Sequence, residues 1–169
     1  MHQIGDLVVY STHGVCEIDE ICDKTYGDIT AQYYILHPIY NNNLSIQSPV
    51  NTTKAGLSLL ISEEGALAVL ESFKGEGVAW IDNTNHRMKA YNDIVKSGDR
   101  LEISKVINTL LRKQHELLAI DRKFSIQDNK MLTSIQGMLY PELSITLKTD
   151  SEEIAATVLE RLALSSQTA

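Results

Sequence analysis

The chain has 169 residues, 43% of them apolar, and carries a formal net charge of −7 at pH 7. This apolar content can build the core of one ordinary domain or of two small ones, which argues against disorder. The acidic balance argues at first sight against binding to nucleic acid, because phosphates are bound through clustered Lys and Arg.

The sequence also lacks the features of a membrane or secreted protein. No apolar run comes near the length of about 20 residues that spans a bilayer, and the first residues lack the basic and apolar regions of a signal peptide. The two cysteines, Cys16 and Cys22, lie in strand-like patterns, which suits a reducing compartment better than a disulfide framework. We therefore expect a cytoplasmic protein.

The first 60 residues predict a small β-rich module. Short runs rich in Val, Ile and Tyr alternate with turn formers, which indicates four or five antiparallel strands. These runs are residues 7–10, 15–21, 32–37 and 44–50. Turns are marked by residues 13–14, 26–28 and 41–43. A strongly curved small barrel is the economical closure for so few strands.

The rest of the chain has the spacing of helices. A short helix is expected after Ser62, and Gly75 and Gly77 interrupt it as a candidate linker. Capping pairs that begin at Asp99, Ser125 and Asp150 predict three later helix starts. The helices are predicted at about 84–97, at about 100–118, from Ser125 to a stop before Pro141, and after Asp150. The fold class is therefore α+β, an N-terminal antiparallel β-barrel followed by an all-α bundle.

Charge is distributed unevenly along the chain. Residues 86–130 hold ten basic residues against six acidic ones, a net of +4, so the acidic excess lies towards the two ends. This asymmetry is compatible with a basic face in the middle of the chain. Mixed-charge helices with ordinary solvated surfaces would give the same pattern.

Catalysis finds little support in the sequence. His13 near Cys16 could form a Cys/His pair, and Cys16, Cys22 and His37 could form a metal site. The chain has no zinc-ribbon spacing, no glycine-rich phosphate loop and no nucleophile elbow. We interpret these residues as a turn histidine and two strand cysteines, and we expect no enzyme activity, no cofactor and no small-molecule substrate.

The order of the motifs resembles that of CarD-like bacterial transcription regulators over nearly the whole chain. The N-terminal motifs resemble their RNA polymerase interacting domain, which the transcription-repair coupling factor also contains. These motifs are Gly5-Asp6, Val8-Val9-Tyr10, His13-Gly14, Tyr33-Tyr34-Ile35-Leu36, Leu44, Ile46, Pro49-Val50 and Gly56-Leu57. The motifs similar to the helical half are Trp80, Arg87-Met88-Lys89, Ser97-Gly98-Asp99, Ser125 and Lys130-Met131-Leu132.

The resemblance implies a three-part organisation. Residues 1–62 would form a Tudor-like RNA polymerase interacting domain, residues 63–77 a short helix and linker, and residues 78–169 a helical DNA-contacting domain. In the family, an edge strand of the barrel pairs with a strand of the polymerase β subunit. The matching residues are Lys24, Leu44, Ile46, Gln47 and Pro49. Gln47 departs from the basic residue often found there, which removes a charge-assisted contact.

For the helical half, the resemblance implies contact with promoter DNA near the upstream edge of the melted region. Trp80 would act as an apolar wedge against the minor groove, although a lone tryptophan is more often part of a core. Arg87, Lys89 and Lys130 are the candidate phosphate contacts. Asp82 and Asn129 stand where better-known members carry basic residues, so we expect weak DNA binding without polymerase.

Two functions follow from these observations. The first is a transcription regulator that bridges RNA polymerase and promoter DNA and stabilises the open complex. The alternative is a protein-only interaction adaptor that docks on polymerase or another partner without touching DNA.

Overall fold

A computed structural model describes residues 1–10, 13–51 and 57–164. The chain divides into two compact units, Met1–Leu60 and Ile61–Ala169. Ser11 and Thr12, which precede the first predicted turn, and Gly56 of the family motif lie outside the described residues. The predicted three-part division by residue number stays a prediction.

The first unit is an antiparallel sheet. Its strands are β1 (Leu7–Tyr10), β2 (Gly14–Tyr26), β3 (Ile29–Pro38), β4 (Ile46–Pro49) and β5 (Leu57–Ser58). They pair in the order β4-β3-β2-β1-β5, so β4 and β5 are the edges of the sheet formed by the described residues. This confirms the predicted antiparallel sheet ahead of the helices. Closure of that sheet into a Tudor-like barrel stays a prediction.

A bulge in β2 explains an apparent break in its pattern. Ile18 and Ile21 are three residues apart, so they would face opposite sides of a regular strand. The register with β3 shifts between Ile18 and Glu20, which places Ile18 opposite Leu36 and Ile21 opposite Tyr34. Both isoleucines therefore face the same small core, because a bulge adds one residue and increases the local twist.

That core contains one of the two cysteines. Its buried members are Val8, Cys16, Ile18, Tyr34 and Leu36. Burial raises the pKa of the Cys16 thiol to about 11, so the thiolate needed for nucleophilic or metal chemistry is disfavoured at neutral pH.

The second unit contains five helices in the described residues. They are α1 (Glu63–Ser72), α2 (Thr84–Ser97), α3 (Arg100–Ala119), α4 (Ile126–Leu147) and α5 (Ser151–Arg161). The three predicted caps, Asp99, Ser125 and Asp150, each accept a backbone N–H at the start of a helix. No helix in the described part of the chain is long and apolar enough to cross a membrane.

The predicted stop before Pro141 is wrong, because α4 continues through this proline to Leu147. Proline removes one backbone donor and crowds the carbonyl four residues earlier, which here belongs to Gly137. Tyr140 and Leu143 are both buried next to the proline. Tertiary packing of this stretch therefore outweighs the local preference for ending the helix.

The two glycines after α1 have different surroundings. A Cβ on Gly77 would lie 2.8 Å from the Lys105 carbonyl oxygen and 3.0 Å from the Thr109 nitrogen, both in the backbone of α3. A Cβ on Gly75 would meet only the Ser72 carbonyl oxygen, at 3.4 Å. Gly77 therefore permits a close approach between its segment and α3, whereas Gly75 has room for a methyl group.

This difference predicts unequal effects of two matched substitutions. Gly77→Ala should lower the free energy of unfolding by about 1–3 kcal/mol, because the added methyl overpacks the contact with α3. Gly75→Ala should leave it unchanged or raise it by up to about 1 kcal/mol, because alanine restricts the unfolded chain. Urea unfolding followed by the fluorescence of Trp80, the single tryptophan, measures both. Equal unfolding free energies for the two variants would contradict the close approach at Gly77.

Candidate docking edge and tryptophan site

Strand β4 presents backbone groups away from the sheet. The Val50 amide donates to the Gln32 carbonyl of β3 at 2.9 Å. In an antiparallel ladder such pairs alternate, so Ser48 is the next β4 residue to bond to β3, and Gln47 and Pro49 direct their backbone groups outward. Proline has no N–H and is tolerated at such an edge. The outward groups are therefore the N–H and C=O of Gln47 and the C=O of Pro49.

Lys24 and Gln47 lie on the same face of the sheet. Lys24 on β2 is opposite Ala31 on β3, and Gln47 on β4 is opposite Ile35 of β3. Ala31 and Ile35 are four residues apart, so their side chains share a face. Ile46 packs against the core on the other face. Of the predicted polymerase-binding residues, Leu44 and Gln47 are exposed, Lys24 and Pro49 are half-buried, and Ile46 anchors β4 to the core.

Leu44 lies outside the strand predicted to contain it. Its amide donates to the Asn41 carbonyl at 3.3 Å, in the turn that precedes β4. The strand begins at Ile46 and not at residue 44. The predicted turn at residues 41–43 is therefore closed by Leu44, and Ser45 separates it from β4.

Tyr26 lies on the face of the sheet that carries Lys24 and Gln47, although its sequence position predicts only a turn. Its hydroxyl donates to Gln47 Oε1 at 3.0 Å. Its ring meets that of Tyr33 edge to face, with centroids 5.8 Å apart, and the residue is 58% exposed. The sequence shows a tyrosine at the end of a strand, beside Gly27. It does not show that this tyrosine contacts Gln47, because that contact depends on the register of the sheet.

In the second unit, Trp80 lies in the extended segment between α1 and α2 and packs against the helical core while remaining partly exposed. The backbone before it is held by side chains of two helices. Thr109 Oγ1 donates to the Val78 carbonyl at 2.7 Å, and the Tyr91 hydroxyl donates to the Ala79 carbonyl at 2.9 Å. Burial raises the pKa of Tyr91, so its hydroxyl keeps the proton that it donates.

Arg87 is buried beneath this segment, with an exposure of 4%. Its Nε and Nη2 donate to the two carboxylate oxygens of Asp128 at 2.9 and 2.8 Å. Its Nη1 donates to the carbonyls of Ile81 and Asp82 at 2.7 and 3.2 Å. The guanidinium carbon lies 4.1 Å from the centroid of the Trp80 ring. The guanidinium of Arg87 is therefore engaged within the domain, and its predicted contact with a phosphate stays a prediction.

Asp128 is fixed in turn by the cap of α4. Ser125 Oγ accepts the Asp128 amide at 3.1 Å and donates to Asp128 Oδ2 at 2.7 Å. The predicted capping pair therefore also anchors the ion pair with Arg87. The sequence gives no signal for that ion pair, because its partners are 41 residues apart.

The two remaining candidate phosphate contacts are exposed. Lys89 lies on α2 and Lys130 on α4. A third cation that the sequence analysis does not single out is Lys113 of α3, whose Nζ lies 5.1 Å from the centroid of the Trp80 ring. Its nearest carboxylate oxygen in an ion pair belongs to Glu116, at 3.7 Å. Trp80 and Lys113 line one open groove of about 750 Å³.

Of the histidines and cysteines considered for catalysis, Cys16, Cys22 and His37 lie in strands, and His13 lies just before β2. His37 Nδ1 is 2.8 Å from the carboxylate of Asp19, and Cys16 is buried. In the described part of the chain, no group of three or more His, Cys, Asp or Glu side chains could hold a metal ion.

Comparisons with known proteins assign both units to known families. Residues 2–61 match the model of the CarD-like/TRCF RID domain, and residues 68–159 match that of the CarD C-terminal domain. The chain is also 26% identical over 150 residues to YdeB of Bacillus subtilis (strain 168), a protein named as a proposed transcription factor. That similarity covers 86% of this chain and 92% of YdeB. The predicted resemblance is therefore confirmed, and the chain belongs to the CarD-like family of transcription factors, with an N-terminal RNA polymerase interacting domain.

Proposed function

We propose that this protein binds the β subunit of RNA polymerase through its N-terminal domain and contacts promoter DNA near the upstream edge of the transcription bubble through its helical domain. The contact with DNA stabilises the open complex. The observation that carries the proposal is the edge strand β4, because the RNA polymerase interacting domain offers outward backbone groups there, at an edge of the sheet formed by the described residues. The protein acts in the cytoplasm as a non-enzymatic regulator and needs no cofactor.

Docking through β4 has a physical basis in strand addition, in which backbone hydrogen bonds give affinity and side chains give selectivity. Pro49 lacks an N–H, so β4 offers few outward hydrogen bonds and its side chains must contribute more of the affinity. Lys24, Gln47 and Tyr26 supply such side chains on one face. The bulge in β2 supports the strong curvature of the proposed Tudor-like barrel.

Contact with DNA is proposed for Trp80, with Lys89 and Lys130 as phosphate contacts and Lys113 beside the ring. An apolar ring can hold a partly unstacked base step open. The net charge of −7 and the exposed Asp82 oppose binding to free DNA. We therefore propose that promoter contact depends on prior docking to polymerase.

A protein-only adaptor is the second candidate, and the burial of Arg87 favours it, because one predicted phosphate contact is engaged inside the domain. A salt titration of promoter binding with polymerase present separates the two functions. Neutralised phosphates release counterions, so a contact between this protein and DNA should make promoter affinity fall more steeply with salt than it does for polymerase alone.

Docking by strand addition predicts a difference between two substitutions at one position. Gln47→Pro removes an outward N–H, whereas Gln47→Ala removes the side chain and keeps that N–H. Each lost hydrogen bond is worth about 0.5–1.5 kcal/mol, so the proline variant should bind the β subunit about two- to tenfold more weakly than the alanine variant. Biolayer interferometry on variants with parental circular dichroism measures this ratio. Equal affinities would contradict strand addition at β4.

The proposed wedge predicts that Trp80→Ala shortens the lifetime of the open complex while binding to polymerase is retained. Loss of an apolar contact worth about 1.4 kcal/mol corresponds to a roughly tenfold shorter lifetime. Heparin-challenged filter binding measures the lifetime, and a thermal melt confirms that the variant is folded. A folded variant whose open complex has the parental lifetime would contradict the proposed contact between Trp80 and DNA.

A further inference from the structure

We propose that Arg87 is a positioning residue that fixes the indole of Trp80 for its contact with DNA, and that it makes no contact with DNA itself. This inference rests on the proposed function, because it names the residue that controls the orientation of the wedge. It changes the role of Arg87 from a phosphate contact to a support beneath the ring.

The guanidinium of Arg87 is held rigidly. A guanidinium is planar, and here all three of its nitrogens donate hydrogen bonds within the domain. Donation to both oxygens of Asp128 fixes the plane of the fork. The group beside the Trp80 ring is therefore a fixed cation and not a mobile side chain.

The side chain of Arg87 holds both the Trp80 ring and the backbone next to it. The guanidinium carbon lies 4.1 Å from the ring centroid, within the range of a cation–π contact. The same group binds the carbonyls of the next two residues, Ile81 and Asp82. A change in Arg87 would therefore release the indole and the chain that carries it together.

A direct contact of Arg87 with a phosphate would be unfavourable. Turning Arg87 outward to a phosphate would leave the Asp128 carboxylate buried without its cation. An unpaired buried charge is strongly unfavourable. Lys89 on the same helix is exposed and can reach solvent without such a loss.

The test uses the full-length chain, in which Trp80 is the only tryptophan and so reports on itself. The test variant is Arg87→Met combined with Asp128→Leu, since replacing both members of a buried pair leaves no unpaired charge. The matched control is Lys89→Gln. Loss of the cation–π contact should raise the acrylamide quenching constant of Trp80 by roughly two- to fivefold in the test variant, with no change in the control.

If the double variant does not fold, acrylamide quenching of Trp80 in Arg87→Lys provides a second test. Lysine keeps a cation opposite Asp128 but cannot supply the planar fork, so quenching should again rise. A folded variant of either kind with the quenching constant of the parent would overturn the proposal.

The second part of the test is a double-mutant cycle on the lifetime of the open complex. The Arg87→Met, Asp128→Leu variant should shorten the lifetime in the parent and cause no further shortening when Trp80→Ala is present. The variant could instead shorten the lifetime equally with and without Trp80→Ala, and reduce by about one the slope of the logarithm of promoter affinity against the logarithm of salt concentration. In that case Arg87 contacts a phosphate and the proposal is wrong. If Trp80→Ala alone leaves the lifetime unchanged, the proposed function fails, and the quenching result still decides whether Arg87 orients the ring.

Discussion

The buried pair of Arg87 and Asp128 is the interaction on which the candidate site of the helical unit depends. It joins α2 to α4, and through Arg87 it also holds the segment that carries Trp80. Burying two charges is unfavourable unless each is fully hydrogen bonded. Here the three guanidinium nitrogens, the two carboxylate oxygens and the Ser125 cap supply those bonds, so a partly exposed aromatic ring rests on a rigid support.

The two units offer different kinds of binding surface. In the first unit, β4 lies at an edge of the sheet formed by the described residues, and the proposed docking there uses backbone groups and depends little on charge. The second provides a ring and a few cations in a chain whose net charge is −7, which disfavours free DNA. In the proposed function, tethering resolves this difference, because docking one module raises the effective concentration of the other at its target. Weak contacts with DNA are sufficient for the function proposed here.

Features set by short stretches of sequence were predictable, and features set by distant contacts were not. The strands and the caps at Asp99, Ser125 and Asp150 follow from local patterns, and the family follows from motif order. Pro141 remains inside a helix because buried neighbours outweigh its local preference. Gly77 approaches α3, and Arg87 pairs with a residue 41 positions away. Periodicity carries no information about such partners, so exposed and buried arginines look the same in the sequence.

The central claim is that one chain connects RNA polymerase to promoter DNA, and site-specific photo-crosslinking tests it most directly. A p-benzoylphenylalanine in place of Trp80 would be irradiated in the presence of promoter DNA, with and without polymerase. The account predicts a crosslink to DNA at the upstream edge of the bubble that requires polymerase. Crosslinks from this position only to protein, in a complex that contains polymerase and an open promoter, would contradict it.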